Sequence, residues 1–116
     1  MKILVTGGRN YGQAMREQDF IYDVLDEICP NHVIEGGASG ADAVARAWCE
    51  HREVQNTTYK ADWDRLGKWA GPRRNTLMLT HGKPDLVVAF QGGRGTANMV
   101  SQANAAGVPI RTEWQR

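Results

Sequence analysis

Neither sign of charge prevails in this 116-residue sequence: 14 Lys and Arg stand against 13 Asp and Glu, a formal net charge of +1. With no overall field, general attraction to nucleic acid or to an anionic membrane is disfavoured, and any affinity for phosphate must be local. Cysteine is scarce as well. Cys29 and Cys49 lie far apart, outside any CxxC pattern, each in a stretch that reads as helix, so both are expected as buried, reduced thiols without a disulfide or metal role. His32, His51 and His81 show no ligand spacing with one another or with the cysteines, so no metal and no cofactor is expected, and the three read as surface or helix-end residues. Long apolar runs are missing too. The one that follows Met1 is broken by Gly7-Gly8, too short for a signal sequence or a membrane span, which points to the cytoplasm and to no membrane partner. No Gly-Lys-Ser/Thr follows a glycine loop and no strict GxGxxG occurs, which disfavours P-loop ATP hydrolysis and a standard dinucleotide site. Ser39 and Ser101 have no identifiable base partner for nucleophilic catalysis. Repeats of solenoid length are absent.

Glycine, in contrast, is plentiful: 13 residues, clustered where short apolar runs end. Lys2–Thr6 reads as a buried parallel strand emptying into Gly7-Gly8, and His32–Glu35 as a second strand ending at Gly36-Gly37. Leu86-Val87-Val88-Ala89-Phe90 is the strongest buried-strand signal and leads into Gly92-Gly93-Arg94-Gly95. Glu53–Lys60 and Val108–Thr112 supply two further strands. Helical spacing runs through Glu17–Cys29 and Asp42–His51; Thr96–Ala106 is helical in composition, with Gly107 as its cap. Ala61–Pro72 reads as an ordered loop, and Pro72 opens a helix that stops near Gly82. Strands alternating with helices imply a Rossmann-like, doubly wound α/β fold with a parallel sheet, strand order 3-2-1-4-5 and one domain over residues 1–116. A chain of this length buries roughly two thirds of its unfolded surface, enough for one core. In that order the three strands ending in double glycines are neighbours, at the edge where such folds bind ligands.

Thr6-Gly7-Gly8-Arg9, Gly36-Gly37-Ala38-Ser39-Gly40 and Gly92-Gly93-Arg94-Gly95-Thr96 share one physical logic. Without a Cβ, backbone N–H groups can approach an anion closely, and the following helix adds its positive end. Arg9, Arg73, Arg74 and Arg94 fall near the same edge and suit bidentate phosphate contacts, with at least one of them expected as plain surface charge. Asp42, at a helix start, either satisfies backbone donors or meets a ribose hydroxyl. Trp63 and Trp69 either pack or offer a face to a base. Glu35 and Asp42 are the candidate catalytic acids or bases; Glu35 could instead cap backbone donors, and Asp85 could simply start its strand.

These residues also form blocks that resemble a known family. Val5-Thr6-Gly7-Gly8-Arg9, Gly36-Gly37-Ala38-Ser39-Gly40-Ala41-Asp42, Ala61-Asp62-Trp63, Gly67 through Asn75 and Gly92-Gly93-Arg94-Gly95-Thr96 are similar, in this order, to the YspA-like, cpYpsA-related (DUF2493) proteins of bacteria and phages within the SLOG superfamily. The resemblance implies a Rossmann-like fold and a role in binding or processing nucleotide-derived ligands, with Asn75 beside Arg73 and Arg74 in the site. More distant relatives, the LOG phosphoribohydrolases, carry a PGGxGTxxE motif. Here Gln91 replaces its proline and Met99 its glutamate, and methionine can neither move a proton nor stabilise a cation by charge. The expected function is therefore capture of a phosphate-bearing nucleotide-derived molecule, such as a nucleoside monophosphate or an ADP-ribose-like compound, by a sensor, sequestering or processing protein. The alternatives are an N-glycosidase-type nucleotide hydrolase and, third, a DprA-like single-stranded DNA binder, against which the near-neutral charge speaks. A homodimer or higher homo-oligomer is expected from Trp48, Met99 and Val100 on helices and from the dimers common among SLOG proteins.

Overall fold

The aliphatic run Ile3-Leu4-Val5 is buried on both sides, the requirement for a central strand of a parallel sheet. In the structure, a computed structural model that describes residues 1–114, this run is β1 (Lys2–Thr6), at the centre of a five-stranded sheet. The other strands are β2 (His32–Glu35), β3 (Gln55–Thr58), β4 (Leu86–Phe90) and β5 (Ile110–Glu113). Every pairing is parallel, in the order β3-β2-β1-β4-β5. The register sets Lys2 opposite His32 and Ile3 opposite Leu86, so β1, β2 and β4 run out close together at their carboxyl ends.

Because side chains alternate along a strand, β1 feeds two cores. Ile3 and Val5 join Val33, Val88 and Phe90 beneath α1 (Met15–Ile28) and α2 (Ala41–Arg52). Leu4 joins Ile34 and Val87 on the opposite face, covered by Met78 of α4 (Ala70–Thr80) and by Met99 and Ala103 of α5 (Arg94–Ala106). Trp48 fits the first core without an orphaned donor, because its indole N–H donates to Asp26 at 2.8 Å. Among the described residues no helix is long and apolar enough to cross a membrane.

Several expectations need correction. The stretch 61–72 is not a loop throughout: it holds α3 (Trp63–Leu66), a 3-10 turn (Gly67–Trp69) and the start of α4. Helix α4 begins at Ala70, which leaves Pro72 in the first turn, where its missing N–H would have had no partner. Arg94 and Gly95 belong to the first turn of α5 and not to the preceding loop, with Gly93 as the N-cap. Cys29 is exposed, since the chain leaves α1 there in a left-handed turn with φ 53°; Cys49 is buried. His32 stands inside β2, its Nε2 2.8 Å from the Thr57 hydroxyl, and not at a helix end. Trp48 and Met99, two of the three residues that suggested self-association, are 2% and 0% exposed and fill the monomer's own cores.

Gly40 brings the front of α2 against the loop after β1. Its φ is +76°, and an added Cβ would lie 2.6 Å from the Arg9 carbonyl carbon and closer still to Gly8 O. Gly40→Ala therefore combines a backbone conformation that L-residues avoid with a collision against main chain, which cannot move aside as a side chain would. A loss of at least about 2 kcal/mol in urea unfolding is expected.

Candidate functional site

Gly8 is the meeting point of the strand-end loops. Its N–H donates to Gln91 O at 2.8 Å, and its carbonyl accepts from Tyr11 N at 3.2 Å and from Ala41 N, the first residue of α2, at 3.3 Å. This joins the ends of β1 and β4 to the front of α2. A Cβ at Gly8 would meet Gly92 Cα at 3.1 Å, so the two glycine loops touch backbone to backbone. Around this contact opens a crevice of about 1160 Å³, lined from β1 by Thr6, Gly7, Gly8 and Arg9, and from β2 by Gly36, Gly37 and Ala38. Gly92, Gly93, Arg94, Gly95 and Thr96 line it from the β4 side. It lies at the reversal of strand order between β1 and β4, the place where open parallel sheets receive ligands.

The two helices that begin here differ in electrostatics. At α2, whose N-cap Gly40 brings no side-chain cap, an acid stands in the first turn: Asp42, whose Oδ2 accepts from the β2-loop amides Gly36 N at 3.1 Å and Ala38 N at 3.3 Å. Helix α5 has no side-chain cap and no acidic residue in its first turn. Its first-turn N–H groups lack intrahelical partners and open beside Arg94. Five basic side chains, Arg9, Lys60, Lys68, Arg74 and Arg94, line the crevice, against Asp42 as the single acid. The crevice is thus far more basic than the near-neutral chain as a whole, and the open helix end lies in it.

Beneath the glycine loops runs a charged network. Glu35, 0% exposed, accepts from Arg46 Nη1 at 3.0 Å, from the Thr58 hydroxyl at 2.8 Å and from Gly37 N at 3.2 Å. Its oxygens hold the β2 loop in shape and stay out of the crevice lining. Arg74 Nη1 donates to Gly36 O and Tyr59 O, and Nε to Asn75 Oδ1 at 3.0 Å. Arg74 therefore shapes the loops, and truncating it would orphan carbonyls as well as remove charge. Its Nη2 has no hydrogen-bond partner among the described residues.

Asn75 lies under the crevice and donates to Gly95 O at 3.2 Å and Asn98 Oδ1 at 3.1 Å, fastening α4 to α5. Ser39 donates to Arg9 O, Gly40 packs behind the loop and Arg73 faces solvent, so none of the three lines the crevice. Trp63 does line it, along with Lys60, Lys68 and Asn98. Neither Lys60 nor Asn98 was singled out from sequence; Lys60's place as the last residue of the expected third strand, which in the structure ends at Thr58, was the available signal, and Asn98 gave none. Among the described residues no group of three or more His, Cys, Asp or Glu could hold a metal ion.

Burial first, and then the Glu35 carboxylate, push the Asp42 carboxyl from 3.8 up to about 7, against the pull of the Ala38 and Gly36 amides and Arg74. Between these two values the folded protein holds a proton that the unfolded chain releases, so Asp42's contribution to stability is largest below pH 4 and declines as pH rises to about 7. From pH 5 to pH 8 this decline amounts to about 2–3 kcal/mol. Asp42→Asn keeps an oxygen for both amides and does not titrate. Urea unfolding at the two pH values should show the difference between wild type and variant shrinking or reversing toward pH 8.

Known proteins resemble this chain in sequence and in fold. The profile of the "YspA, cpYpsA-related SLOG family" matches residues 1–66. The "Gene 61 protein" of Mycobacterium phage D29 is 36% identical over 121 residues, spanning 94% of this chain and 93% of its own length. Among solved structures, the X-ray structure of the structural-genomics target TM1055 superposes with a TM-score of 0.75 at 19% identity, over 94% of this chain and 71% of its own, a likeness of fold. The chain belongs to the YspA, cpYpsA-related SLOG family.

Proposed function

We propose that this chain binds a phosphate-bearing, nucleotide-derived small molecule, with the phosphate at the N-terminus of α5. The observation that carries this reading is the uncapped, acid-free start of α5, opening into a crevice lined by five basic side chains and one buried acid. A helix start of this kind offers converging N–H donors and a positive dipole end, and the bare backbone at Gly93 lets an anion come close. The volume, about 1160 Å³, accommodates a nucleotide with room for its sugar and base. The family supports a nucleotide-related ligand over an unrelated anion.

Gly93→Val tests the site. A Cβ there meets nothing within 4 Å, so the side chain displaces no neighbour and enters the space a phosphate would use, while the backbone at φ −106° and ψ −137° lies outside the usual β region. Gly95→Val, also with open space, is the companion variant inside the helix. Calorimetric titration with ribose 5-phosphate and adenosine 5′-monophosphate should show binding to wild type and at least a hundredfold loss in both folded variants, with Gly95→Val, in helical backbone, separating loss of the site from backbone strain at Gly93. Wild-type affinity retained in both variants would place the anion elsewhere.

A second reading has an observation of its own. Asp42 lines the crevice, its Oδ1 has no hydrogen-bond partner among the described residues, and its carboxyl titrates near neutrality, as suits a general acid or base. In that reading water replaces the base at C1′ of a nucleoside monophosphate and the base leaves with a proton. Met99, 0% exposed in the α5 core, offers no carboxylate for this step, so the chemistry would fall to Asp42. Release of free base from adenosine 5′-monophosphate, lost in Asp42→Asn, is the expected signature.

A further inference from the structure

The ten residues from Lys60 to Trp69 do not bury a single side chain, although two of them are tryptophans. Trp63 is 57% and Trp69 67% exposed. Burying apolar surface is the main drive to fold a segment, so a flap that keeps its largest apolar groups outside is held by its ends. At one end Tyr59 N donates to Glu35 O at 2.8 Å, and Tyr59 O accepts from Arg74; at the other, Ala70 is buried. Asp62 closes the short α3 inside the flap by accepting from Arg65 N at 3.3 Å.

Trp63 nevertheless has a fixed seat. Its six-membered ring edge lies over Gly71, where an added Cβ would stand 3.2 Å from Cη2. Glycine in the first turn of a helix weakens the helix, and here its bareness lets an indole edge rest against the backbone of α4. Seated by its edge, Trp63 lines the crevice, as do Lys60 and Lys68. Trp69 has a different part: Lys68 Nζ lies 5.7 Å from its ring centroid, which braces the lysine, and Trp69 itself does not line the crevice.

We infer that the Trp63 indole is the stacking platform for a planar heteroaromatic base, and that the flap 60–69 closes over that base while the phosphate rests at the start of α5. The inference depends on the proposed phosphate site and adds to it the ligand's other end: a base, read by its π-face, which makes the site tolerant of base identity. Lys60 and Lys68, of the same flap and the same lining, add positive charge to the crevice that suits an anionic ligand.

The test pairs two probes with three variants, using titration calorimetry and tryptophan fluorescence. Adenosine 5′-monophosphate should bind wild type more tightly than ribose 5-phosphate and quench its emission, while ribose 5-phosphate leaves emission unchanged. Trp63→Leu should weaken the nucleotide about ten- to a hundredfold, the range of one base–aromatic stack, and leave ribose 5-phosphate untouched. Trp63→Phe should restore most of the affinity without the quench. Equal affinity of the two probes for wild type, or a Trp63→Leu loss that is nil or the same for both, overturns the stacking assignment. Ribose 5-phosphate binding that disappears in Gly93→Val but not in Trp63→Leu keeps the phosphate site separate from this outcome. Failure of both probes to bind wild type removes both assignments.

Discussion

The site depends on one residue's backbone. Gly8 gives its N–H to Gln91 and its carbonyl to the front of α2, so a single peptide segment fixes the end of β1 against the end of β4 and the start of a helix. Neither bond needs a side chain, and the touching Gly92 leaves little room for one. Everything around the crevice is placed relative to this joint: the acid-free end of α5 on one side, the end of α2 with Asp42 in its first turn on the other. The sheet order makes the joint possible by setting β1 between β2 and β4, and the joint turns adjacency into a defined cavity.

The sheet order and helix sequence were legible because both rest on patterns that survive without tertiary detail. Leu86-Val87-Val88-Ala89-Phe90 is apolar throughout, as a doubly covered strand must be, and glycine pairs mark where strands stop. What escaped the sequence has physical reasons. The helical turns within 61–72 bury nothing between Trp63 and Trp69, so no apolar periodicity announced them. Arg94 and Gly95 have no hydrophobic signal either, and the helix reaches back to them because the packing of Thr96, Met99 and Ala103 fixes its axis. Trp48 and Met99 looked available for a partner because periodicity reveals an apolar face without saying what covers it.

Charge was the least legible layer. Glu35, Asp42 and Arg74 lie apart in sequence; Arg74 read as a phosphate contact, and Glu35 and Asp42 either as acids or bases or as partners of backbone donors. In the fold they act first on one another and on the β2 loop: Glu35 through Arg46, Thr58 and Gly37, Asp42 through Gly36 and Ala38, Arg74 through Gly36 and Tyr59. The raised Asp42 carboxyl follows from its burial first and from the neighbouring Glu35 carboxylate second, which the Ala38 and Gly36 amides and Arg74 only partly offset. The conformation of the loop and the charge state of the site are therefore one problem.

The two cores are unequal. Among the described residues, the apolar cluster beneath α1 and α2 has fourteen buried members, and the one beneath α4 and α5 has six. Arg74, Asn75 and the open end of α5 all belong to the thinner layer. In the empty protein, hydrogen exchange should begin there, through partial openings that leave the thicker layer intact. A molecule held between the β1 loop and α5 would bridge the layers, so its binding would be felt as slower exchange along α4 and α5, far beyond the atoms it touches.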